Sequence, residues 1–285
     1  MKSKLLKRIA VAASFAVALG MVTAVPKING EPLFGITAAA KTDPAKDFSY
    51  EVNDDGSVTL TKYNGSRSGI KIPSEIDGKA VTGIGKSAFG KCRTLRNITI
   101  PDSVKSIGEK AFAECRGLKS IAIPEGVTSI ESRTFYRCTG LTSVTIPEGV
   151  TSIGEQAFSG CTSLTSITIP GSVTSMGFRA FEECAALTDV TLSEGVTSIG
   201  YYAFWHCTAL KSITIPGSVS GMRSSAFSYC KNLTSVTFSE GVTSIGNYAF
   251  EKCGKLTSVT FPDSIKSIGD YAFLHCTGLK SIVIP

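Results

Sequence analysis

Residues 141–161 read LTSVTIPEGVTSIGEQAFSGC, and residues 164–184 read LTSITIPGSVTSMGFRAFEEC. The second stretch repeats the first after 23 residues, with the same residue types at most positions. All nine cysteines of the chain follow this spacing, from Cys92 to Cys276. Residues 92–285 are therefore one structural unit copied many times, so a function is expected on a repeated surface rather than in a single catalytic pocket.

Each copy keeps its apolar residues in one register relative to the cysteine. Three residues before each cysteine is a phenylalanine, from Phe89 to Phe273, and three residues after it is a leucine, from Leu95 to Leu279. Further apolar residues follow six and eight residues after the cysteine, and proline usually comes next. With only about seven inward residues, one copy must bury them against its neighbours, which predicts a solenoid.

Local patterns predict two kinds of structure within each copy. The segment after leucine alternates apolar and polar residues and is rich in β-branched side chains, which predicts a short strand that proline ends. The A-F-x-x-C segment has apolar residues three apart, which predicts one helical or 3-10 turn. The expected fold class is a β-rich α/β solenoid in which equivalent strands form a parallel sheet about 4.8 Å apart.

A longer period lies over the 23-residue one. The stretch PGSVTSM at 170–176 returns as PGSVSGM at 216–222, and SEGVTSIG occurs at 193–200 and again at 239–246. Both intervals equal two repeats. We interpret them as the duplication of a pair of repeats.

The pattern L-x-x-I-x-I-P-x-x-V-T-S-I-G-x-x-A-F-x-x-C resembles the BspA-like leucine-rich repeats, a family of mostly bacterial secreted or surface proteins. The resemblance covers about residues 70–285. It implies a right-handed leucine-rich-repeat array with a parallel β-sheet on its concave face. It also implies adhesion or ligand binding outside the cell, without indicating a particular ligand.

The first 24 residues have the features of a secretory signal peptide. Residues 1–8 are basic, residues 9–22 are apolar, and small residues precede Ala24, while the run 38–40 (AAA) offers a later cleavage site. An uncleaved membrane anchor is the alternative, although the apolar stretch is short for a span of about 20 residues. We therefore expect a secreted or cell-surface protein with no membrane insertion after cleavage.

The two ends of the repeat array differ. Residues 41–70 are expected to form an N-terminal β-hairpin cap, because the turn sequence NDDG at 53–56 lies between two alternating segments. Residues 71–285 are expected to form a solenoid of about nine repeats. The last residues, 281–285 (SIVIP), read as the strand of a further unit without a polar cap. A bare sheet end predicts either end-to-end self-association or a fragment of a longer protein.

Charge gives no indication of a nucleic-acid partner. The formal net charge is +6, but Lys2, Lys4, Lys7, Arg8, Lys27 and Glu31 all precede residue 41. Without these six residues, 24 basic and 22 acidic residues remain, which is a net charge of only +2. Such a balance lacks the basic footprint of a protein that binds nucleic acid.

The repeated cysteines and the two histidines do not form a recognisable chemical site. Side chains in a ladder run parallel about 4.8 Å apart, whereas the Cβ atoms of a disulfide converge to about 3.8 Å, so we expect reduced and buried thiols. His206 and His275 occupy the same repeat position three copies apart and cannot share a metal. We expect no catalytic residue, no metal and no cofactor.

The variable positions of the repeat are the two residues before Ala-Phe and the two after it. In the C-terminal half of the chain many of these residues become aromatic, and Trp205 is the only tryptophan. Aromatic side chains supply large contact area at low entropic cost. The alternative is that several of them pack against neighbouring turns. The candidate ligand-binding residues are Phe178, Tyr201, Tyr202, Trp205, His206, Tyr229, Tyr248 and Tyr271.

These features favour an exported, non-enzymatic binding or adhesion protein that presents its repeats to an extracellular protein or glycan. The serine and threonine residues on the strands offer a second, weaker surface for the same partners. A structural spacer, or a fragment of a larger surface protein with its activity in another domain, is the alternative.

Overall fold

The computed structural model describes residues 45–284 and, before them, only the two-residue strands Lys27–Ile28 and Glu31–Pro32, which pair antiparallel. The predicted signal peptide lies outside the described residues. The chain divides into two units after Lys41, and the second unit contains all the repeats. None of the helical structure in the described ranges is long and apolar enough to span a membrane.

An antiparallel hairpin precedes the repeats. A 3-10 helix at Ala45–Asp47 leads into the strand Phe48–Val52, which pairs with Val58–Tyr63. Gly56, with φ of 82°, closes the turn between them. The strand Val58–Tyr63 then pairs in parallel with Lys79–Ile84, so the hairpin occupies the place that a preceding repeat would take.

The segments after leucine form a first ladder of parallel strands. Equivalent residues pair with a shift of 23, for example Ile121 with Val144. Most of these strands alternate exposed residues with buried or half-buried ones, which agrees with the predicted period of two. Hydrogen bonds divide the ladder into sheets of four, two and three strands. The strands are Gly69–Lys71, Asn97–Thr99, Ser120–Ala122, Ser143–Thr145, Ser166–Ile169, Asp189–Leu192, Ser212–Ile215, Ser235–Phe238 and Ser258–Thr260.

The V-T-S-I segments form a second ladder of parallel strands. It begins at Lys79–Ile84, which also pairs antiparallel with the short strand Glu75–Ile76. Its isoleucine or methionine side chains face the core, as the burial of Ile153 and Met176 shows. The remaining strands are Ser106–Ile107, Ser129–Ile130, Ser152–Ile153, Ser175–Met176, Ser198–Ile199, Gly221–Met222, Ser244–Ile245 and Ser267–Ile268.

The predicted helical or 3-10 turn at A-F-x-x-C is not observed. These segments are hydrogen-bonded turns, and the 3-10 helix at Ala45–Asp47 is the only helix in the described part of the chain. The residue before Ala-Phe and the residue before cysteine have positive φ, as at Lys110 (57°) and Glu114 (58°), and this left-handed backbone interrupts a helix. The fold is thus a parallel β-solenoid rather than an α/β solenoid.

Backbone bonds between turns explain why the left-handed geometry is retained. Alternate amides of one turn donate to carbonyls of the next, as Lys110 N to Ser132 O (3.0 Å) and Phe112 N to Thr134 O (2.9 Å). Within a turn, Cys115 N donates to Phe112 O at 3.1 Å. The turns therefore form a third ladder that satisfies backbone groups across neighbouring copies.

The core consists of columns of identical side chains. The nine phenylalanine rings from Phe89 to Phe273 stack with centroids 5.0–5.6 Å apart. The rings of Phe48 and Tyr63 in the hairpin continue the column at its first end. Burial of one such ring is worth about 1.5–3 kcal/mol, so the column is a major source of stability.

The nine cysteines carry free thiols, and all are buried except the half-buried Cys92. From Cys115 onward, each thiol donates to the carbonyl oxygen of the phenylalanine 26 residues earlier, at 3.0–3.3 Å. Burial raises the pKa of Cys138 to about 12 and that of Cys184 to about 12. The cysteine column thus joins adjacent turns as neutral thiols.

The corners between the two ladders alternate in composition from residue 172 to residue 264. Gly195, with φ of 103°, donates its amide proton to Ser218 Oγ at 3.0 Å, and Ser218 Oγ donates to Val196 O at 2.8 Å. Gly241 and Ser264 repeat this exchange. The two-repeat period in the sequence therefore corresponds to corners that alternate between glycine and serine, in which the glycine amide donates a hydrogen bond to the serine of the next corner.

The predicted strand at 281–284 does not form. These four residues have no strand pairing in the structure, and Val283 is 81% exposed. The preceding described strand of the first ladder, Ser258–Thr260, is itself paired on one side only. Without ladder hydrogen bonds, the apolar alternation of this segment is not enough to hold it as a strand.

Candidate binding surface on the turn face

The candidate surface is the turn face, defined as the four variable positions around each Ala-Phe pair. The alanine and phenylalanine between these positions are almost completely buried, as Ala180 and Phe181 are. Several of the variable residues remain exposed, for example Tyr271 at 60% and Tyr201 at 46%. The repeated residues therefore build the core, and the variable residues decide the chemistry of this face.

The first cluster of the turn face combines two aromatic rings with a guanidinium group. Phe178 and Tyr202 meet edge to face with centroids 5.8 Å apart. The guanidinium carbon of Arg179 lies 4.8 Å from the centre of the Phe178 ring and 5.4 Å from that of Tyr202. Arg179 also pairs with Glu182 at 3.3 Å. The cluster is held in place, and Phe178 remains 40% exposed.

A second cluster surrounds the single tryptophan. Trp205 lies against His206, and His206 stacks on Tyr229 with centroids 4.6 Å apart. Lys252 Nζ lies 4.5 Å from the centre of the Tyr229 ring. Burial lowers the pKa of His206, and nearby Lys231 lowers it further, so both effects favour the neutral imidazole.

The other predicted aromatic residues form two smaller groups. Tyr248 and Tyr271 stack with centroids 5.1 Å apart and are both exposed. Tyr201 instead meets Arg223, whose guanidinium carbon is 5.6 Å from the ring centre. Tyr201 and Tyr202 are adjacent in sequence but belong to different clusters. The Tyr201 ring contacts Arg223 of the following turn, whereas the Tyr202 ring contacts Phe178 of the preceding turn.

The structure therefore distributes the eight predicted residues over four clusters rather than one platform. Tyr202, Trp205, His206 and Tyr229 are half-buried and support their neighbours. The cations Arg179, Arg223 and Lys252 belong to these clusters but were not predicted. Two of them could have been predicted from the sequence, because Arg179 and Lys252 occupy the same variable positions as the aromatic residues.

Sequence reasoning also missed a groove in the N-terminal half of the turn face. It has a volume of about 620 Å³. The sequence feature that could have indicated the groove is the small size of Gly90 and Ala113, because other copies have large side chains at the equivalent position, such as Tyr136 and Trp205. The groove is lined by Ser87, Gly90, Lys91, Lys110, Ala113, Glu114, Arg133, Tyr136 and Gln156.

A solenoid that buries its repeated residues and varies mainly at its turns is a repeat-scaffold protein. The parallel β-solenoid of about nine turns has the leucine-rich-repeat fold. The BspA type leucine rich repeat region matches residues 82–211 and 197–285 in six copies. The chain belongs to this family.

Solved structures of bacterial leucine-rich-repeat proteins resemble the chain. The T. pallidum protein TpLRR is 29% identical with a TM-score of 0.58, covering 79% of this chain and 92% of that one. A leucine-rich repeat protein from Bacteroides ovatus is 28% identical with a TM-score of 0.59, covering 84% and 81%. The pneumococcal vaccine antigen PcpA shares the fold at 23% identity and a TM-score of 0.51, covering 80% and 57%. No curated protein sequence matches the chain.

Proposed function

We propose that the protein is an exported, non-enzymatic binding or adhesion protein whose turn face contacts an extracellular protein or glycan. One observation carries this proposal: Phe178, Tyr201, Tyr248 and Tyr271 are the exposed large aromatic residues of the repeats, and all four occupy variable positions of the turn face. Because these four side chains are exposed, they contribute little to the stability of the core, and a role in surface contacts accounts better for their presence.

The chemistry of these clusters suits recognition. Tyrosine and tryptophan are enriched in binding hot spots because they bring area with few rotatable bonds. The cations over the rings of Phe178, Tyr201 and Tyr229 fix the rings and add hydrogen-bond donors. A partially pre-organised surface loses less conformational entropy when it binds.

Export is supported by the signal-peptide features of residues 1–24 and by family membership. The pneumococcal relative of the same fold is described as a vaccine antigen. Both agree with a position at the cell surface or in the medium.

The experiment is a binding screen of the full chain on arrays of extracellular-matrix proteins and glycans. It runs beside the variant Tyr201→Ser/Tyr248→Ser/Tyr271→Ser, whose three side chains are exposed, so we expect little loss of stability. Circular dichroism and thermal unfolding check that the variant is folded. Loss of binding by the folded variant supports the proposal.

A matched control removes three exposed threonines from the first ladder: Thr168→Ala/Thr214→Ala/Thr237→Ala. If this control loses binding and the tyrosine variant retains it, the site lies on the strand surface and the proposed turn-face site is wrong. If neither the wild-type protein nor any variant binds, adhesion by these repeats is contradicted.

A spacer role is the second candidate, favoured by the continuity of the phenylalanine column from Phe89 to Phe273. A rod whose every turn packs on the next can hold another domain at a fixed distance. The test attaches a fluorophore near each end, at Lys71 and Lys266, and measures the distance distribution. A narrow distribution supports the spacer, and a broad one contradicts it.

A further inference from the structure

The groove in the N-terminal half of the turn face is built by missing side-chain volume. Gly90 and Ala113 occupy the first variable position after phenylalanine in two successive turns, and Tyr136 occupies it in the next. Two small residues form a floor, and the aromatic ring closes one end. At about 620 Å³, the groove falls within the roughly 300–1,000 Å³ of ordinary ligand sites.

Cations dominate the lining of the groove. Lys91, Lys110 and Arg133 contribute three positive charges, and Glu114 is the one carboxylate. The Glu114 carboxylate is itself paired with Arg93 at 3.9 Å and Arg116 at 3.2 Å. The groove therefore presents a net positive field to any ligand.

The adjacent carboxylates do not cancel this excess. Glu109 is shared by Lys110 at 2.7 Å and Lys86 at 2.6 Å, and the two ammonium groups lower its pKa to about 2. Arg133 is held by Gln156 Oε1 at 2.8 Å and Glu155 at 3.4 Å. The single negative charge of Glu109 is thus shared by two lysines. The Arg133 guanidinium is held at the groove by the neutral Gln156 amide and the Glu155 carboxylate.

The backbone around the groove is not available to an extended peptide. Ser87, Phe89 and Lys91 donate their amide protons to carbonyls of the following turn, at 2.7–2.9 Å. A peptide that binds by strand addition needs an open row of backbone groups. Side chains alone therefore make the contacts here: ammonium and guanidinium donors, one phenol ring and one amide.

We propose that this groove binds an anionic oligosaccharide, one that carries carboxylate or sulfate groups. Lys91, Lys110 and Arg133 pair with the anionic groups, and charge-assisted hydrogen bonds of this kind are the strong ones. The Tyr136 ring packs against a sugar ring, with Arg137 fixing it from 5.1 Å. Gln156 and Ser87 bond to hydroxyl groups. The site is separate from the aromatic clusters and does not depend on them.

The test measures binding of three tetrasaccharides by calorimetry: a polyuronate, a heparin-derived sulfated fragment and a neutral glucan. The full chain is compared with Lys91→Gln/Lys110→Gln/Arg133→Gln and with Ala113→Tyr, which fills the groove without changing charge. Tyrosine already occurs at the equivalent position 136, so the fold accepts it there. We expect both variants to weaken binding of at least one anionic tetrasaccharide about tenfold or more, and the neutral glucan not to bind.

Two control variants separate the groove from general charge effects. Lys211→Gln/Lys255→Gln/Lys266→Gln removes the same charge from exposed lysines of the C-terminal half, and Ala185→Tyr adds an exposed ring elsewhere. Both should bind as the wild-type protein does.

Three results overturn the proposal: unchanged binding by Ala113→Tyr, equal weakening by the C-terminal lysine variant, or failure of both anionic tetrasaccharides to bind. A tetraglutamate peptide is measured as a fourth ligand, and equally tight binding of this peptide overturns the saccharide assignment. The tyrosine variant of the aromatic clusters binds normally here if the two sites are separate, so failure of one proposal is distinguishable from failure of the other.

Discussion

The Cys161 thiol donates a hydrogen bond to the carbonyl oxygen of Phe135 on the preceding turn, at 3.2 Å. The same oxygen accepts the amide proton of Cys138 at 3.1 Å. The thiol therefore uses the second lone pair of a carbonyl that a local turn already engages. This explains why cysteine, rather than another small apolar residue, fits each copy from Cys115 onward.

Substitutions of Cys161 test two contributions to stability, the hydrogen bond of its thiol and the packing of its side chain. Both Cys161→Ala and Cys161→Val remove the donor, so we expect each to lose about 0.5–1.5 kcal/mol of unfolding free energy for the hydrogen bond. Cys161→Ala also leaves a small cavity, whereas Cys161→Val adds about one methyl group to a fully buried site, and each of these packing changes should cost about 1 kcal/mol more. Urea denaturation measures both. Equal stability of Cys161→Val and the wild-type protein would contradict a stabilising S–H bond.

The thiols should differ sharply in reactivity. Cys92 is half-buried, whereas the other eight cysteines are buried, and burial raises the pKa of Cys230 to about 12. Iodoacetamide at pH 8 should therefore give one major adduct on the folded protein, located at Cys92 by mass spectrometry. Rapid modification of Cys230 in the folded state would be inconsistent with this packing.

The phenylalanine column should tolerate truncation at its end better than in its middle. Phe158 is fully buried and stacks on Phe135 and Phe181 at 5.1 and 5.0 Å, so Phe158→Ala should cost about 3–5 kcal/mol. Phe273 is half-buried, and Phe273→Ala should cost less. Thermal and urea unfolding compare the two. Equal losses would mean that the column unfolds as one cooperative block.

Gly217, which precedes the corner residue Ser218, should not tolerate replacement even by alanine. A Cβ atom on Gly217 would lie against the carbonyl oxygen of Glu240, well inside contact distance, so Gly217→Ala should destabilise the protein by about 2 kcal/mol or more. The control is Gly254→Ala, whose Cβ would approach only Thr277 Oγ1, at 3.5 Å. Similar melting temperatures for the two variants would show that the corner adjusts easily.

Glu109 should contribute stability that depends on pH. Lys110 and Lys86 lower its pKa from 4.5 to about 2 in the folded protein. Because the unfolded chain then binds more protons between these values, the contribution is present above pH 4.5 and is lost as the pH falls through about 2. Melting curves of the wild-type protein and Glu109→Gln should converge over this range. A constant difference would indicate that Glu109 acts through packing.

The columns of the core were predictable because identical residues recur at one spacing. A repeat that places Phe158, Cys161 and Leu164 in the same register as Phe181, Cys184 and Leu187 leaves few ways to bury them other than stacking. The short strands followed from their alternation, and the first ladder has the predicted parallel register.

The turns were not predictable, because apolar residues three apart suit a helix and a non-helical turn equally well. Hydrogen bonds between copies decide the outcome, and nothing in the residue types of Lys110 or Glu114 indicates a left-handed backbone. The surface was predictable only in part. Aromatic residues attract notice in a sequence, whereas the groove depends on the absence of side chains at Gly90 and Ala113.

Serine and glycine corners alternate from turn to turn, so two neighbouring turns of the array are not interchangeable. From Ser172 to Ser264, a glycine corner always follows a serine corner, and Gly195 and Gly241 each rely on the serine of the next turn. Loss or gain of one turn would bring two corners of the same kind together, so either a glycine amide would lack its acceptor or a serine would lack its donor. Change by two turns preserves every such bond. In this part of the chain, length can therefore evolve without penalty only in even steps.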